Sequence, residues 1–174
     1  MSKEIKHPWR LLAIVTAVGL LADLWTKHSA ARALADGHIV HCLGDVVQLV
    51  LVFNKVAVFG IDPARIMHGF SVGRVFPFFN LIAAAVLIIY YRFLKRTDLL
   101  LHWSLAFILP GALGNLSDRL LHPGRGVVDF IMVNLGFPPF NPWPIFNVAD
   151  AWVTIGIALM IASFLFEGNR RKEP

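Results

Sequence analysis

Four long apolar runs, separated by polar or basic residues, dominate the pattern of the chain. They cover residues 8–25, 75–91, 99–116 and 145–166. An α-helix rises about 1.5 Å per residue, so about 20 apolar residues in a row cross the hydrocarbon core of a bilayer. The pattern therefore predicts four transmembrane helices, of which the first, with 18 residues, is only just long enough.

The first run also resembles the apolar part of a secretory signal peptide. A basic segment precedes it, and Ala33-Leu-Ala35 matches a small-residue cleavage site. Close before that site, however, lie Asp23, Lys27 and Arg32, which make a poor cleavage region. We therefore favour a transmembrane helix over a cleaved signal peptide.

The segment between the first two runs, residues 27–73, is mixed in composition. Residues 38–42 and 46–53 are rich in β-branched side chains and partly alternating, and Gly44-Asp45 between them is a turn signal. Residues 62–73 have the composition of a short amphipathic or interfacial helix. This segment therefore predicts a small β-element followed by a helix at the membrane surface.

Composition and charge support a membrane protein. Hydrophobic residues make up 57% of the chain and charged residues only 16%, and the mean hydropathy is +0.66, which excludes an ordinary soluble domain. The net charge of +5 does not indicate nucleic acid, because Lys and Arg gather at the ends of the apolar runs. The two terminal segments and the loop around Lys95 are basic, which places both termini in the cytoplasm.

This topology brings polar residues from several segments to one depth, at the outer ends of the predicted helices. Ionisable groups at membrane depth are costly unless they face protein or water, so such residues are candidates for function. The residues concerned are Asp23, Asn54, Asn115, Asp118, Arg119, Asp129, Asn147 and Asp150.

Two groups among them have a structural interpretation. Asn115, Asp118 and Arg119 are spaced to share one helix face, and we expect Arg119 to keep Asp118 ionised. Asp23 and Lys27 are four residues apart, the spacing of a helix-surface ion pair. Charge pairing accounts for both groups without catalysis.

Asp129 and Asp150 are the stronger candidates for chemistry. Asp129 is flanked by apolar residues, and Asn147 lies three residues before Asp150, where it is expected to project from the same helix face. If two carboxyl groups meet in a low-dielectric pocket, both cannot ionise, so one stays protonated. The ionised member takes a proton from water while the other donates to a carbonyl oxygen, which hydrolyses an amide without a covalent intermediate. A structural role for both aspartates is the alternative.

Other kinds of site are weakly supported. The segment His38-x-x-His41-Cys42 lacks a third well-spaced metal ligand, and the single cysteine excludes an internal disulfide. A proton relay through the four aspartates of a small transporter is the main competing function, but a relay places carboxylates at the midplane or on both sides of the bilayer. A third possible function is that of a non-enzymatic subunit of a membrane assembly.

Five short motifs together resemble those of the lipoprotein signal peptidase family, the bacterial signal peptidase II. They occur in the order found in that family and span most of the chain. The motifs are Asp23-Leu-Trp-Thr-Lys27, Asn54 with Ala57 and Phe59-Gly60, Gly111-Ala-Leu-Gly-Asn115 through Asp118-Arg119, Val127-Val-Asp-Phe130, and Phe146-Asn-Val-Ala-Asp150.

The resemblance implies an all-α polytopic membrane protein with four transmembrane helices, a small extracytoplasmic β-element and a short interfacial helix. Residues 1–174 would form a single aspartyl endopeptidase domain in the bacterial cytoplasmic (inner) membrane, with its active site toward the outer face. It would cut prolipoprotein signal peptides just before the diacylglyceryl-modified cysteine. The expected partners are this substrate and membrane lipid, with no cofactor, metal or nucleic acid, and the expected state is a monomer.

The resemblance also assigns residues. The catalytic dyad falls on Asp129 and Asp150. Positions that support or contact substrate fall on Asp23, Asn54, Asn115, Asp118, Arg119 and Asn147. The chain departs from the family pattern at Lys55-Val56, where a glycine usually stands in place of Val56, and at Val58, which replaces a commoner alanine.

Overall fold

The computed structural model describes residues 4–55, 72–139 and 141–170. Four helices and three strands alternate along this part of the chain. In order they are α1 (Pro8–Ala33), β1 (Val40–Leu43), β2 (Val47–Asn54), α2 (Val72–Phe93), α3 (Leu99–Leu121), β3 (Val127–Val133) and α4 (Val148–Arg170). The predicted interfacial helix lies almost wholly outside the described residues, and so do the family departures at Val56 and Val58.

Three helices of the described chain are long and apolar enough to cross a membrane. They are Pro8–Ala33, Leu99–Leu121 and Val148–Phe166. In α2, the apolar part is the shorter stretch Asn80–Phe93. The structure therefore confirms three of the four predicted spans as candidates, and the span at 75–91 stays a prediction.

At the end of the bundle where the sheet lies, helices α1 and α4 have different bounds from the predicted spans. Helix α1 continues past Trp25 to Ala33 because its last turns pack under the sheet, where Ala30 and Leu34 are buried against Val128 and Phe130. Helix α4 begins at Val148 rather than at residue 145. The preceding residues are extended, since Phe146 forms a β-bridge with Ile131.

Helix α3 is the centre of the bundle and contacts α1, α2 and α4. Its contact with α4 is close because glycines stand where the backbones meet. A Cβ at Gly156 of α4 would lie only 2.7 Å from the carbonyl oxygen of Ser104, and a Cβ at Gly111 of α3 would overlap the carbonyl oxygen of Ala149. These glycines let α3 and α4 approach one another with little space between them.

The end of the bundle away from the sheet is held by Tyr91 near the end of α2. Its hydroxyl donates a hydrogen bond of 2.6 Å to the carbonyl oxygen of Pro8 at the start of α1. Its ring packs edge-on against His102 of α3, with ring centroids 4.8 Å apart. Tyr91 thereby sets the level of α2 relative to both α1 and α3.

The three strands form one antiparallel sheet in the order β1-β2-β3. The first two strands and the turn between them match the predicted β-element. The third strand was not predicted from the pattern, because VVDFIMV is a nearly continuous apolar run without alternation. In the β2–β3 register, Val52 pairs with Asp129 and Asn54 pairs with Val127. This register brings Asn54 next to Asp129.

Candidate active site

All eight polar residues singled out in the sequence lie in one cluster at the sheet end of the bundle. Hydrogen bonds or ion pairs link them across five elements, since they join α1, β2, α3, β3 and the start of α4. The cluster has two layers. A layer of two carboxyl groups, Asp129 and Asp150, lines a cavity, and a second layer around Lys27 lies behind it.

Asp129 lies on β3 and is buried, with 3% of its surface exposed. Both of its carboxylate oxygens accept hydrogen bonds from amide side chains. Asn54 at the end of β2 donates through Nδ2 to Oδ2 at 2.8 Å, and Asn147 donates through Nδ2 to Oδ1 at 2.6 Å. The carboxyl group is therefore held from two sides by neutral donors.

Asp150 lies in the first turn of α4 and is held by a reciprocal helix cap. Its backbone N–H donates to Oδ1 of Asn147 at 3.0 Å, and the backbone N–H of Asn147 donates to its Oδ2 at 3.2 Å. This arrangement corresponds to a capping box. Asn115 of α3 donates through Nδ2 to Asp150 Oδ1 at 2.8 Å. Asn147 thus precedes the helix and caps it, which corrects the prediction that both residues project from one helix face.

Asn147 connects the two carboxyl groups. Its backbone holds Asp150, and its side chain holds Asp129 and also donates to Oδ1 of Asn115 at 3.1 Å. The residue is fully buried, so these hydrogen bonds do not compete with water. One side chain and its backbone therefore fix the relative positions of two carboxylates that are 21 residues apart in the sequence.

The environment of Asp129 changes its acidity. The pKa of Asp129 is raised from 3.8 to about 6, chiefly by burial. The hydrogen bonds from Asn54 and Asn147 and the charge of Lys27 oppose this rise, and the negative charge of Asp150 adds to it. Loss of hydration disfavours the charged form, and a like charge does the same. The charge of Asp150 is therefore close enough to influence the protonation of Asp129.

Lys27 forms the predicted ion pair with Asp23, but its burial and its further contacts with the cluster were not predicted. It is 2% exposed, and its Nζ lies 2.7 Å from Asp23 Oδ2 and 3.0 Å from Asp118 Oδ2. It also donates to Oδ1 of Asn115 at 2.9 Å. Because Oδ1 faces Lys27, the amide of Asn115 presents Nδ2 to Asp150. The predicted first span ended at Trp25, so Lys27 was expected beyond the span and on a helix surface rather than buried.

The ion-pair partner of Asp118 also differs from the prediction. Arg119 was expected to keep Asp118 ionised, and it does interact with Asp118 electrostatically, but it forms no contact ion pair with it among the described residues. Asp118 instead pairs with Lys27 and accepts a hydrogen bond of 3.2 Å from the backbone N–H of Val128. Arg119 donates through Nη1 to the carbonyl oxygen of Asn115 at 3.1 Å and lines the cavity beside the two carboxyl groups.

Asp23 joins α1 to α4. It is fully buried, and its Oδ1 accepts a hydrogen bond of 2.8 Å from the backbone N–H of Ala149, in the first turn of α4. Carboxylates stabilise helix N-termini, where backbone N–H groups lack intrahelical partners. A Cβ at Gly114 of α3 would overlap this carboxylate. Gly114 therefore leaves the space in which Asp23 reaches α4.

Gly126 is a residue that the sequence interpretation did not identify. Its φ is +93°, a conformation that favours glycine, and a Cβ there would lie 2.5 Å from the carbonyl oxygen of Asn54. The absence of a side chain lets the end of β2 approach the turn before β3. Gly126 therefore places Asn54 where its amide reaches Asp129.

A cavity of about 710 Å³ opens in front of Asp129 and Asp150. Helices α2, α3 and α4 form most of its wall, and the part away from the carboxyl groups is lined by apolar residues such as Leu87, Ile108 and Ile157. A mostly apolar cavity of this size with a few converging polar groups is typical of a ligand-binding site. The two carboxyl groups are thus accessible to a molecule that fills the cavity.

The segment around His38 and His41 is not assembled as a metal site. His38 contacts the carboxylate of Asp36, and His41 Nδ1 lies 3.1 Å from Oδ1 of Asp45. Over the described ranges 4–55, 72–139 and 141–170, no three His, Cys, Asp or Glu residues are grouped closely enough to hold a metal ion.

Known proteins resemble this chain over nearly its whole length. A family model described as signal peptidase (SPase) II matches residues 15–166. The lipoprotein signal peptidase of Sulfurihydrogenibium sp. (strain YO3AOP1) is 39% identical over 163 residues, which is 90% of this chain and 92% of that protein. The lipoprotein signal peptidase of Borrelia hermsii (strain HS1 / DAH) is 34% identical over 166 residues, which is 92% of this chain and 94% of that protein.

The fold is also similar to that of solved bacterial membrane enzymes. One, determined by the in meso method at 2.3 Å resolution, covers 100% of this chain and 98% of its own, with a TM-score of 0.82 and 25% identity. A second, determined at 1.9 Å resolution, has a TM-score of 0.76 and 26% identity, and covers 95% of this chain and 97% of its own. The sequence matches and the shared fold agree, and the chain belongs to the signal peptidase II family.

Proposed function

We propose that this protein is an aspartyl endopeptidase of the membrane that removes the signal peptide of diacylglyceryl-modified prolipoproteins. The cut falls just before the lipidated cysteine. One observation carries the proposal: Asp129 and Asp150 are held by a shared network of amide groups at the end of a mostly apolar cavity. The relatives named as lipoprotein signal peptidases supply the substrate class.

The two carboxyl groups have complementary roles in hydrolysis. Asp129, with its pKa raised to about 6 by burial, holds the shared proton, and Asp150 acts as the base. A water oxygen forms a bond to the scissile carbonyl carbon while Asp150 takes a proton from the water. Asp129 gives its proton to the carbonyl oxygen, which produces a neutral tetrahedral intermediate.

Breakdown of this intermediate completes the cycle. The C–N bond breaks, and Asp150 passes the proton that it gained to the departing nitrogen. The hydroxyl of the intermediate returns its proton to Asp129 as the carbonyl re-forms. Every proton is accounted for by the two carboxyl groups and one water molecule, and the products are a carboxylic acid and a free amine.

The location of the dyad in the bundle favours a peptidase over a proton relay. The buried aspartates of the described chain, Asp23, Asp118 and Asp129, all belong to the cluster at the sheet end. A relay needs carboxylates at the midplane or on both sides of the bilayer. The distribution of Lys and Arg favours cytoplasmic termini, so we expect this end to lie at the outer face of the bacterial inner membrane.

The direct test is to replace each carboxyl group of the dyad. Purified Asp129→Asn and Asp150→Asn variants should lose cleavage of a diacylglyceryl prolipoprotein by at least about 10²-fold, because each lacks one half of the acid–base pair. Asp45→Asn is the matched control, since the Asp45 side chain is 88% exposed in the β1–β2 turn. Turnover close to that of the wild type in either dyad variant would contradict the assignment.

The substrate class has its own test. The wild-type protein should cleave a prolipoprotein that carries the diacylglyceryl group and release a fragment whose mass ends just before the modified cysteine. It should cleave the unmodified form much more slowly. Equal cleavage of both forms would contradict a lipoprotein-specific peptidase, and cleavage of neither would favour the relay.

A further inference from the structure

One polar side chain faces the apolar part of the cavity and has no role in the network around the dyad. Asn80 on α2 lines the cavity together with Ala83 and Leu87, which follow it on the same helix face. In the part of the chain that the structure describes, no hydrogen bond of the Asn80 amide is found. An amide that faces an apolar space without a partner is unfavourable, so the free donors and acceptors of Asn80 point to a ligand.

The level of Asn80 along the bundle follows from the contact between Tyr91 and His102. Their ring centroids lie 4.8 Å apart. Asn80 lies eleven positions before Tyr91 in α2, and Leu113 lies eleven positions after His102 in α3. Helices α2 and α3 run in opposite directions, so Asn80 lies at about the level of Leu113. That level is about 3 Å from the level of Asn115, which binds Asp150.

Asn80 therefore faces the cavity just beside the reacting groups, on the side that leads into its apolar part. A substrate whose scissile bond lies at the dyad must place the atoms nearest to that bond at this level. If the proposed function holds, these atoms include carbonyl oxygens from two sources. One source is the peptide backbone beside the scissile bond, and the other is the ester groups of the diacylglyceryl chain.

We propose that Asn80 is a specificity-determining residue that donates a hydrogen bond from Nδ2 to a substrate carbonyl oxygen next to the scissile bond. This inference rests on the proposed function, because it requires the substrate to occupy the cavity in front of Asp129 and Asp150. This hydrogen bond is present both in the enzyme–substrate complex and in the transition state. Its loss is therefore expected to raise KM more than it lowers kcat.

The test compares Asn80 variants on two substrates, a diacylglyceryl prolipoprotein and its dialkyl ether analogue, which lacks the ester carbonyls. Asn80→Leu keeps the size of the side chain and removes the amide, and it should reduce kcat/KM on the ester substrate by about three- to tenfold, the range of one neutral hydrogen bond. Asn80→Ser, which keeps a donor, should recover part of this loss. Leu81→Ala is the matched control, since Leu81 is adjacent and 56% exposed.

Each result separates the possible sources of the carbonyl. A loss on the ester substrate but none on the ether analogue assigns the bond to the lipid ester, and equal losses on both assign it to the peptide backbone. Unchanged kcat/KM of Asn80→Leu on both substrates would overturn the inference while leaving the proposed function intact. The same loss in Leu81→Ala, or a lower melting temperature that accounts for it, would also overturn it. If the wild type cleaves neither substrate, the proposed function itself fails.

Discussion

The cluster at the sheet end contains two pairs of aspartates with different partners. Asp23 and Asp118 share the ammonium group of Lys27, at 2.7 and 3.0 Å. Asp129 and Asp150 receive their described hydrogen bonds from the amides of Asn residues and from backbone N–H groups. The first pair forms an ionic network that ties three helices and β3 together. The second pair is hydrogen-bonded by neutral groups, with the guanidinium of Arg119 nearby.

This difference gives the same residue type two different environments in one cluster. A carboxylate in an ion pair is held by a charge that also fixes its position, and breaking a buried pair is costly. A carboxyl group held by neutral amides keeps its orientation and still exchanges a proton, because the amides donate without neutralising its charge. The ionic layer thus fixes the geometry, and the amide-held layer is available for acid–base chemistry.

The largest predicted effect comes from breaking the ionic layer. Lys27→Met keeps the length of the side chain but leaves Asp23 and Asp118 buried without their shared cation. We expect the free energy of unfolding in detergent micelles to fall by about 3–5 kcal/mol, the range for removal of one partner of a buried ion pair. Lys95→Met, in the loop between α2 and α3, is the control. A loss below about 1 kcal/mol would show that the layer is not a structural support.

The second prediction concerns the pH dependence of the amide-held layer. Because the pKa of Asp129 is raised to about 6, the folded protein binds this proton more tightly than the unfolded chain does. The resulting stability is fully present below about pH 4 and is lost as the pH rises through about 6. Its size is on the order of 2–3 kcal/mol. It is measured as the difference in unfolding free energy between the wild type and Asp129→Asn across this range.

Activity should follow the same titration. If Asp129 is the acid, kcat/KM should fall as the pH rises through an apparent value near 6 that belongs to the dyad. The profile is recorded with the diacylglyceryl prolipoprotein at several pH values. The unfolding free energy of the wild type minus that of Asp129→Asn should fall over the same pH range. If it rises instead, the raised pKa does not belong to Asp129.

Much of the cluster was predictable because membrane proteins place polar residues sparingly. Asn54, Asn115, Asp129 and Asp150 stood out in an apolar chain, and the order of the apolar runs predicted that they meet at one end. The pairing of Lys27 with Asp118 was not predicted, because the two residues are distant in the sequence and the local spacing to Asp23 explained Lys27 adequately. Pairings between distant segments depend on helix rotation and strand register, which one sequence does not specify.

The third strand shows the same limit for the fold. Its apolar run has no alternation, so local periodicity does not separate it from the end of a helix. It becomes a strand because it pairs with β2 and covers Ala30 and Leu34 of α1. The predicted end of α1 at Trp25 fails for the same reason, since the sheet that packs on its last turns forms from segments later in the chain.

The smallest predicted effect tests how the amide-held layer depends on the backbone around it. Gly126→Ala adds a Cβ at a φ of +93° and 2.5 Å from the carbonyl oxygen of Asn54, so the end of β2 must shift. We expect a loss of about 1–2 kcal/mol in unfolding free energy, together with lower kcat because Asn54 moves away from Asp129. The measurements are thermal unfolding and the kinetics of prolipoprotein cleavage.

Gly124 provides the matched control for that substitution. Its φ is +84°, close to that of Gly126, but a Cβ there meets nothing within 4 Å. Gly124→Ala should therefore show the same backbone strain, of about 1 kcal/mol, and leave kcat unchanged. If both alanine variants lose activity equally, the effect comes from the turn as a whole. A loss of kcat confined to Gly126→Ala would show that the orientation of Asp129 depends on Asn54, and hence that neutral donors keep the dyad in its working geometry.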